Sequence, residues 1–148
     1  MTDAILNLSP AVARSLAIWH ELVDSKDLSG LESIVHPEAV FRSPMAFKPY
    51  GPAPALLMAL RTVITIFGDF TYHRQFSSAD GLNVVLEFGA TVQGKQLKGI
   101  DMIRFDEAGL IVEFEVMIRP FNALQVLGAE MGARLAHVLP AYKAASHP

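Results

Sequence analysis

The chain has 148 residues, a formal net charge of −3 and no cysteine. That is the length of one ordinary domain, with a core over about residues 10–139, and it can bury roughly 70% of its unfolded surface without a staple. The missing cysteines exclude a disulfide scaffold, thiol catalysis and a cysteine zinc site; 51% hydrophobic and 18% charged residues at pI 5.9 exclude disorder and the basic footprint of a nucleic-acid binder.

The first six residues lack the basic start and long apolar run of a signal peptide, so the expected compartment is the cytoplasm. Residues 53–67 form the most apolar stretch. Arg61, Thr62 and Thr65 interrupt it, and it is too short to span a bilayer, so no membrane partner is expected.

Ser9-Pro10 reads as an N-cap followed by proline at the first helical position. Val12, Leu16, Trp19 and Val23 follow at spacings of four, three and four, one apolar helical stripe. A short second helix is expected over 28–35, stopped by His36-Pro37, then a short strand over 39–43 ended by Pro44. A proline-rich loop leads to a third helix carrying Leu56, Leu60, Val63 and Phe67. Residues 121–139 form a fourth, capped by Asn122 and ended by Pro140. Between the last two helices lie four strands, 70–77, 84–92, 96–105 and 110–118, with turns at Asp80-Gly81, Gln93-Gly94 and 106–109. Helices, an antiparallel meander and a closing helix make an α+β fold.

Parity assigns the strand faces. Loops of even length place Val84, Leu86, Phe88, Ala90 and Val92 on one face with Leu97, Gly99, Asp101, Ile103 and Phe105, and with Leu110, Val112, Phe114, Val116 and Ile118. This is the core face. Its one ionisable member is Asp101, which must be hydrogen-bonded, protonated or both. The opposite face mixes Ile100, Met102, Ile111 and Met117 with Glu87, Lys98, Arg104, Glu113, Glu115 and Arg119. Apolar groups interleaved with both charge signs suit a symmetric homodimer through the sheet. The strand around Tyr72 stays open, because Phe70, Tyr72 and Phe76 call for one face and Arg74 lies on it.

Five histidines show no metal-ligand spacing, and His20 with Asp24 reads as a surface pair. No metal or cofactor is expected. Gly128 and Gly132 form a small-residue ridge suited to close helix packing.

The order of elements, the proline-terminated first strand and the run Gly99-Ile100-Asp101-Met102-Ile103-Arg104-Phe105-Asp106 resemble the nuclear transport factor 2-like superfamily, in its SnoaL-like and ketosteroid isomerase-like branch. The resemblance implies a cone-shaped fold, a curved antiparallel sheet wrapped around helices as in cystatin-like proteins, with an apolar pocket and usually a homodimer. It further implies that Asp101 takes the place of the isomerases' oxyanion-hole aspartic acid, a carboxyl kept neutral by its apolar site. Trp19 falls where their tyrosine stands, and Ser43, before Pro44, where their general-base aspartate stands. Serine is no comparable base at neutral pH.

The expected function is therefore a pocket for a small apolar carbonyl or polycyclic ligand, as an isomerase, cyclase or hydratase type of enzyme or as a binding module without chemistry. Asp101 is the candidate catalytic acid. Trp19, Phe41, Ser43, Tyr72, Phe88, Ile103 and Phe114 are the candidate walls.

Overall fold

A computed structural model of the protein describes residues 6–136. Among the described residues, three helices lie against one face of a five-stranded sheet of order β1-β5-β4-β3-β2, an α+β architecture with a curved mixed sheet. The meander of β2 (Gly68–Ser77), β3 (Asn83–Val92), β4 (Lys95–Phe105) and β5 (Ile111–Arg119) is antiparallel throughout. β1 (Val35–Arg42) joins it beside β5 in parallel.

Helix α1 spans Pro10–Ser25, and the Ser9 hydroxyl accepts the Val12 amide at 3.3 Å. Its stripe of Val12, Leu16, Trp19 and Val23 is buried as the spacing requires. Where a helix over 28–35 is expected, only a 3-10 turn, Leu31–Ile34, forms. The chain enters β1 at Val35 and runs through Pro37. β1 is an edge strand, where a proline removes no needed donor, and its pairing with β5 is broken between Val35 and Val40, around that proline. The strand stops at Arg42, so Ser43 belongs to the following loop.

Helix α2 (Ala53–Val63) ends before Phe67. The Thr65 hydroxyl donates to the Thr62 carbonyl at 2.6 Å, a local bond that competes with the helix. Helix α3 (Phe121–Leu135) begins two residues earlier than an Asn122 cap would allow, with Pro120 as its N-cap residue. Positions 137–139 and Pro140 lie outside the described residues.

The core fills the space between the helices and the inner sheet face. Register follows the expected parity across β3, β4 and most of β5, where Leu86 pairs with Asp101 and Asp101 with Val116. It then breaks. A bulge in β5 takes the pairing from Arg104–Glu113 to Phe105–Ile111. Ile111 turns inward and is fully buried, while Val112 and Leu110 are half-buried. The placement of Ile111 on the outer face is thereby corrected, since one extra residue on one strand inverts the alternation beyond it.

A second bulge settles β2. Tyr72 pairs with Phe88 but Gln75 pairs with Leu86, so three steps on β2 match two on β3. Phe70 and Tyr72 face inward. Phe76 points outward with Arg74, whose guanidinium sits 5.7 Å from the Phe76 ring centre. Among the described residues no helix is long and apolar enough to cross a membrane.

A candidate active site around Asp101

Asp101 stands mid-strand on β4 with its side chain on the inner face, 6% exposed. The Tyr72 hydroxyl, arriving from β2, donates to its Oδ2 at 2.5 Å. The Trp19 indole N–H, from α1, donates to the Tyr72 oxygen at 3.0 Å. Three elements distant in sequence thus build one hydrogen-bond chain, Trp19 to Tyr72 to Asp101.

Burial drives the Asp101 carboxyl up from its ordinary value of 3.8 to about 7, with the Tyr72 hydrogen bond holding it back. Removing a carboxylate from water penalises the charged form more than one hydroxyl donor repays. Burial also lifts Tyr72 well above its ordinary range, and the neighbouring Asp101 charge adds to the lift. Asp101 is therefore a carboxyl that titrates near neutrality.

Asp101 lines a cavity of about 150 Å³ between the inner sheet face, α2, α3 and the loop 43–50. Its wall is apolar, part aliphatic and part aromatic or thioether, with Trp19, Phe41, Tyr50, Met58, Phe67, Phe70 and Met131 among the lining side chains. The Phe70 ring stacks on Phe88 at 4.9 Å and meets Tyr72 edge-on at 4.9 Å. No other carboxyl lines this cavity among the described residues.

The candidate wall residues divide into two groups. Trp19, Phe41, Ser43 and Tyr72 line the cavity. Phe88, Ile103 and Phe114 do not: each is fully buried in the layer behind. Phe70 covers Phe88, and Phe114 lies under Trp19 and Phe41, at 5.2 Å and 6.4 Å between ring centres. Ile103 is the strand partner of Phe114 and shares its depth. Inward parity identifies a core face, but only the helices decide which inward residues stay uncovered. Ser43 borders the cavity with its oxygen already accepting the Met45 amide at 3.0 Å.

Sequence reasoning missed the contributions of α2 and α3 to the wall. Gly128 and Gly132 line the cavity. Met45 fills the space a side chain at Gly128 would take, and nothing lies within 4 Å of a Cβ at Gly132. The expected surface role of His20 also changes. It is half-buried, its ring meets Tyr72 edge-on at 5.4 Å, and its Nε2 is buried without a hydrogen-bond partner. Burial lowers its pKa, against an opposing pull from Asp24.

A family model, the SnoaL-like domain, matches residues 16–114. The chain belongs to the SnoaL-like domain family. Solved structures agree with this domain over most of their length. A steroid delta-isomerase from Pseudomonas aeruginosa is 60% identical, with a TM-score of 0.88 over 92% of this chain and 99% of that one. An uncharacterized protein with a cystatin-like fold from Silicibacter pomeroyi DSS-3 is 27% identical, with a TM-score of 0.79 over 87% and 92%. An NTF2-like protein of unknown function from Mesorhizobium loti, 17% identical with a TM-score of 0.66 over 78% and 100%, shares the fold. No curated protein matches the chain.

Proposed function

We propose that this SnoaL-like domain takes a small, largely apolar carbonyl compound into the cavity, with Asp101 as the hydrogen-bonding acid at the carbonyl oxygen. The observation that carries the reading is the single carboxyl in an apolar wall, with Oδ2 held by Tyr72, the one hydrogen bond made to this carboxyl among the described residues. A neutral carboxyl there donates a hydrogen bond that strengthens as negative charge develops on the ligand oxygen. Donors placed this way are worth on the order of a few kcal/mol to a transition state. The steroid delta-isomerase at 60% identity supports a carbonyl substrate class.

The size of the cavity narrows the ligand. An apolar hole of comparable volume accommodates one aromatic ring, so the enclosed part suits one ring, and a larger skeleton would extend through the mouth. With no second carboxyl in the described wall and the Ser43 oxygen engaged by Met45, the site suits steps that need a polarised carbonyl, such as cyclisation or hydration. It suits the two-carboxyl proton shuttle of a ketosteroid isomerase less well. The same lack of a partner base favours a second reading, a binding module without turnover.

The test is retention from a mixed library of ketones, sterols and terpenoids, followed by turnover assays on whatever is kept. Carbonyl compounds should be retained by the native chain and lost in Asp101→Ala, with slow or absent conversion of a simple unconjugated ketosteroid. Equal retention by Asp101→Ala would sink the reading. Retention without turnover would select the binding module.

We also propose a homodimer through the outer sheet face, where Ile100 and Met102 are half-buried and Met117 is exposed.

A further inference from the structure

We infer that Trp19 is a positioning residue for Asp101, acting through Tyr72: its indole N–H fixes the direction of the hydrogen-bond chain, so that the neutral carboxyl carries its proton on Oδ1 and offers it to the cavity. The inference rests on the reading of Asp101 as the acid and adds what makes that acid point the right way.

The argument is one of donors and acceptors. An indole N–H can only donate, whereas a phenol has one proton to give and lone pairs to receive. Trp19 therefore takes an accepting position on the Tyr72 oxygen, at 3.0 Å. The phenol proton lies in the ring plane and is left the opposite direction, towards Asp101 Oδ2 at 2.5 Å. An Oδ2 that accepts this proton does not hold one of its own on the same line. When Asp101 is neutral its proton sits on Oδ1, since the one hydrogen bond to this carboxyl among the described residues is made to Oδ2, on a side chain that lines the cavity. Any apolar ring at position 19 would fill the same buried place; only one bearing a donor sets the direction. Without that donor the chain can reverse: Oδ2–H then donates to Tyr72, the phenol proton turns towards position 19, and the cavity meets an accepting Oδ1 in place of an acid proton.

Other charged groups near the chain are few. His20 and Asp24 on α1 lie beyond Tyr72, and Tyr50 borders the cavity from the loop before α2. The cavity-lining residues of α2, α3, β1 and β5 are all uncharged.

The test follows the Asp101 carboxyl by carbon NMR in the full chain. Trp19→Phe removes the donor. Because the chain has one tryptophan, biosynthetic replacement by benzothienylalanine removes the same N–H while keeping the bicyclic shape, which guards against misfolding of the first variant. Both replacements should move the titration midpoint upward, since the anion loses the cooperative support of the chain. Neither should move it in a Tyr72→Phe background, where the relay is already cut. Below the midpoint, affinity for β-tetralone should fall about 3- to 10-fold, the net effect of one hydrogen bond, while affinity for tetralin, which lacks the carbonyl, stays as it was. A midpoint unmoved by benzothienylalanine, or moved equally with Tyr72→Phe, overturns the role of Trp19. If the native chain prefers β-tetralone no more than tetralin, the carbonyl-binding reading fails instead, and the titration still decides the relay.

Discussion

The Asp101 carboxyl gives this domain a pH response between about 4 and 7. Burial raises Asp101 to about 7 from 3.8, so the folded chain holds a proton there that the unfolded chain releases near pH 4. Its contribution to stability is fully present below pH 4 and is lost as pH rises towards 7, on the order of a few kcal/mol. Denaturant unfolding across that range should show the decline, and Asp101→Asn should flatten it. Glu87 and Glu113 behave in the opposite sense. Hydrogen bonds from Arg74 and Lys98 hold Glu87 far below the usual carboxylate range. Burial pushes Glu113 up, but Arg42 and Arg104 together bring it below its ordinary value. Their contributions are lost only as pH falls below about 4.5, a window separate from that of Asp101. Gly99 gives a second prediction at this scale. A Cβ there would stand 2.6 Å from both the Met117 carbonyl oxygen and the Phe88 ring. Gly99→Ala should lower stability by about 1–3 kcal/mol, read as a fall in the thermal midpoint.

Among the elements, α1 and α3 hold the site for different reasons. Helix α1 carries Trp19 on its buried stripe and is started by the Ser9 cap, so Ser9→Ala should cost about 1 kcal/mol in denaturant unfolding while leaving the Asp101 titration in place. Helix α3 closes the cavity with a face that carries no side chain at two positions. Gly132→Leu has open space in front of it and projects into the cavity. It should preserve folding and abolish ligand retention, whereas loss of the fold with retained binding per folded molecule would contradict the assignment of this wall. The strands explain why the site was only half legible. Even loop lengths and alternation were enough to put Asp101 on the inner face opposite Val116. Tyr72 could not be assigned, because the bulge between Tyr72 and Gln75 leaves no hydrophobic signature. It shows only as an apparent conflict between Arg74 and its neighbours.

For the whole molecule, the proposed dimer rests on the outer sheet face. Its buried Glu87 and half-buried Glu113 are already neutralised within the chain by Arg74, Lys98, Arg42 and Arg104, which leaves Ile100, Met102 and Met117 to meet a second copy. Sedimentation should show a dimer at tens of micromolar, on the order of working concentrations. Arg104→Glu should weaken it by leaving Glu113 short of a cation. A monomer, or a dimer indifferent to that reversal, would remove the sheet-to-sheet proposal.

By itself the sequence determined the α+β order, the capped first helix, the antiparallel meander and the inward carboxyl, because these depend on periodicity, turn length and local chemistry, all written within a few neighbouring residues. Only the tertiary structure decided that Tyr72 reaches Asp101 and that Trp19 reaches Tyr72. It also decided that Phe88, Ile103 and Phe114 lie behind the wall and that Ile111 turns inward. Those facts depend on two one-residue bulges and on which helix covers which strand. Each is a balance among contacts between residues far apart in the chain, and the residues in question keep the same identity and spacing whichever way that balance falls.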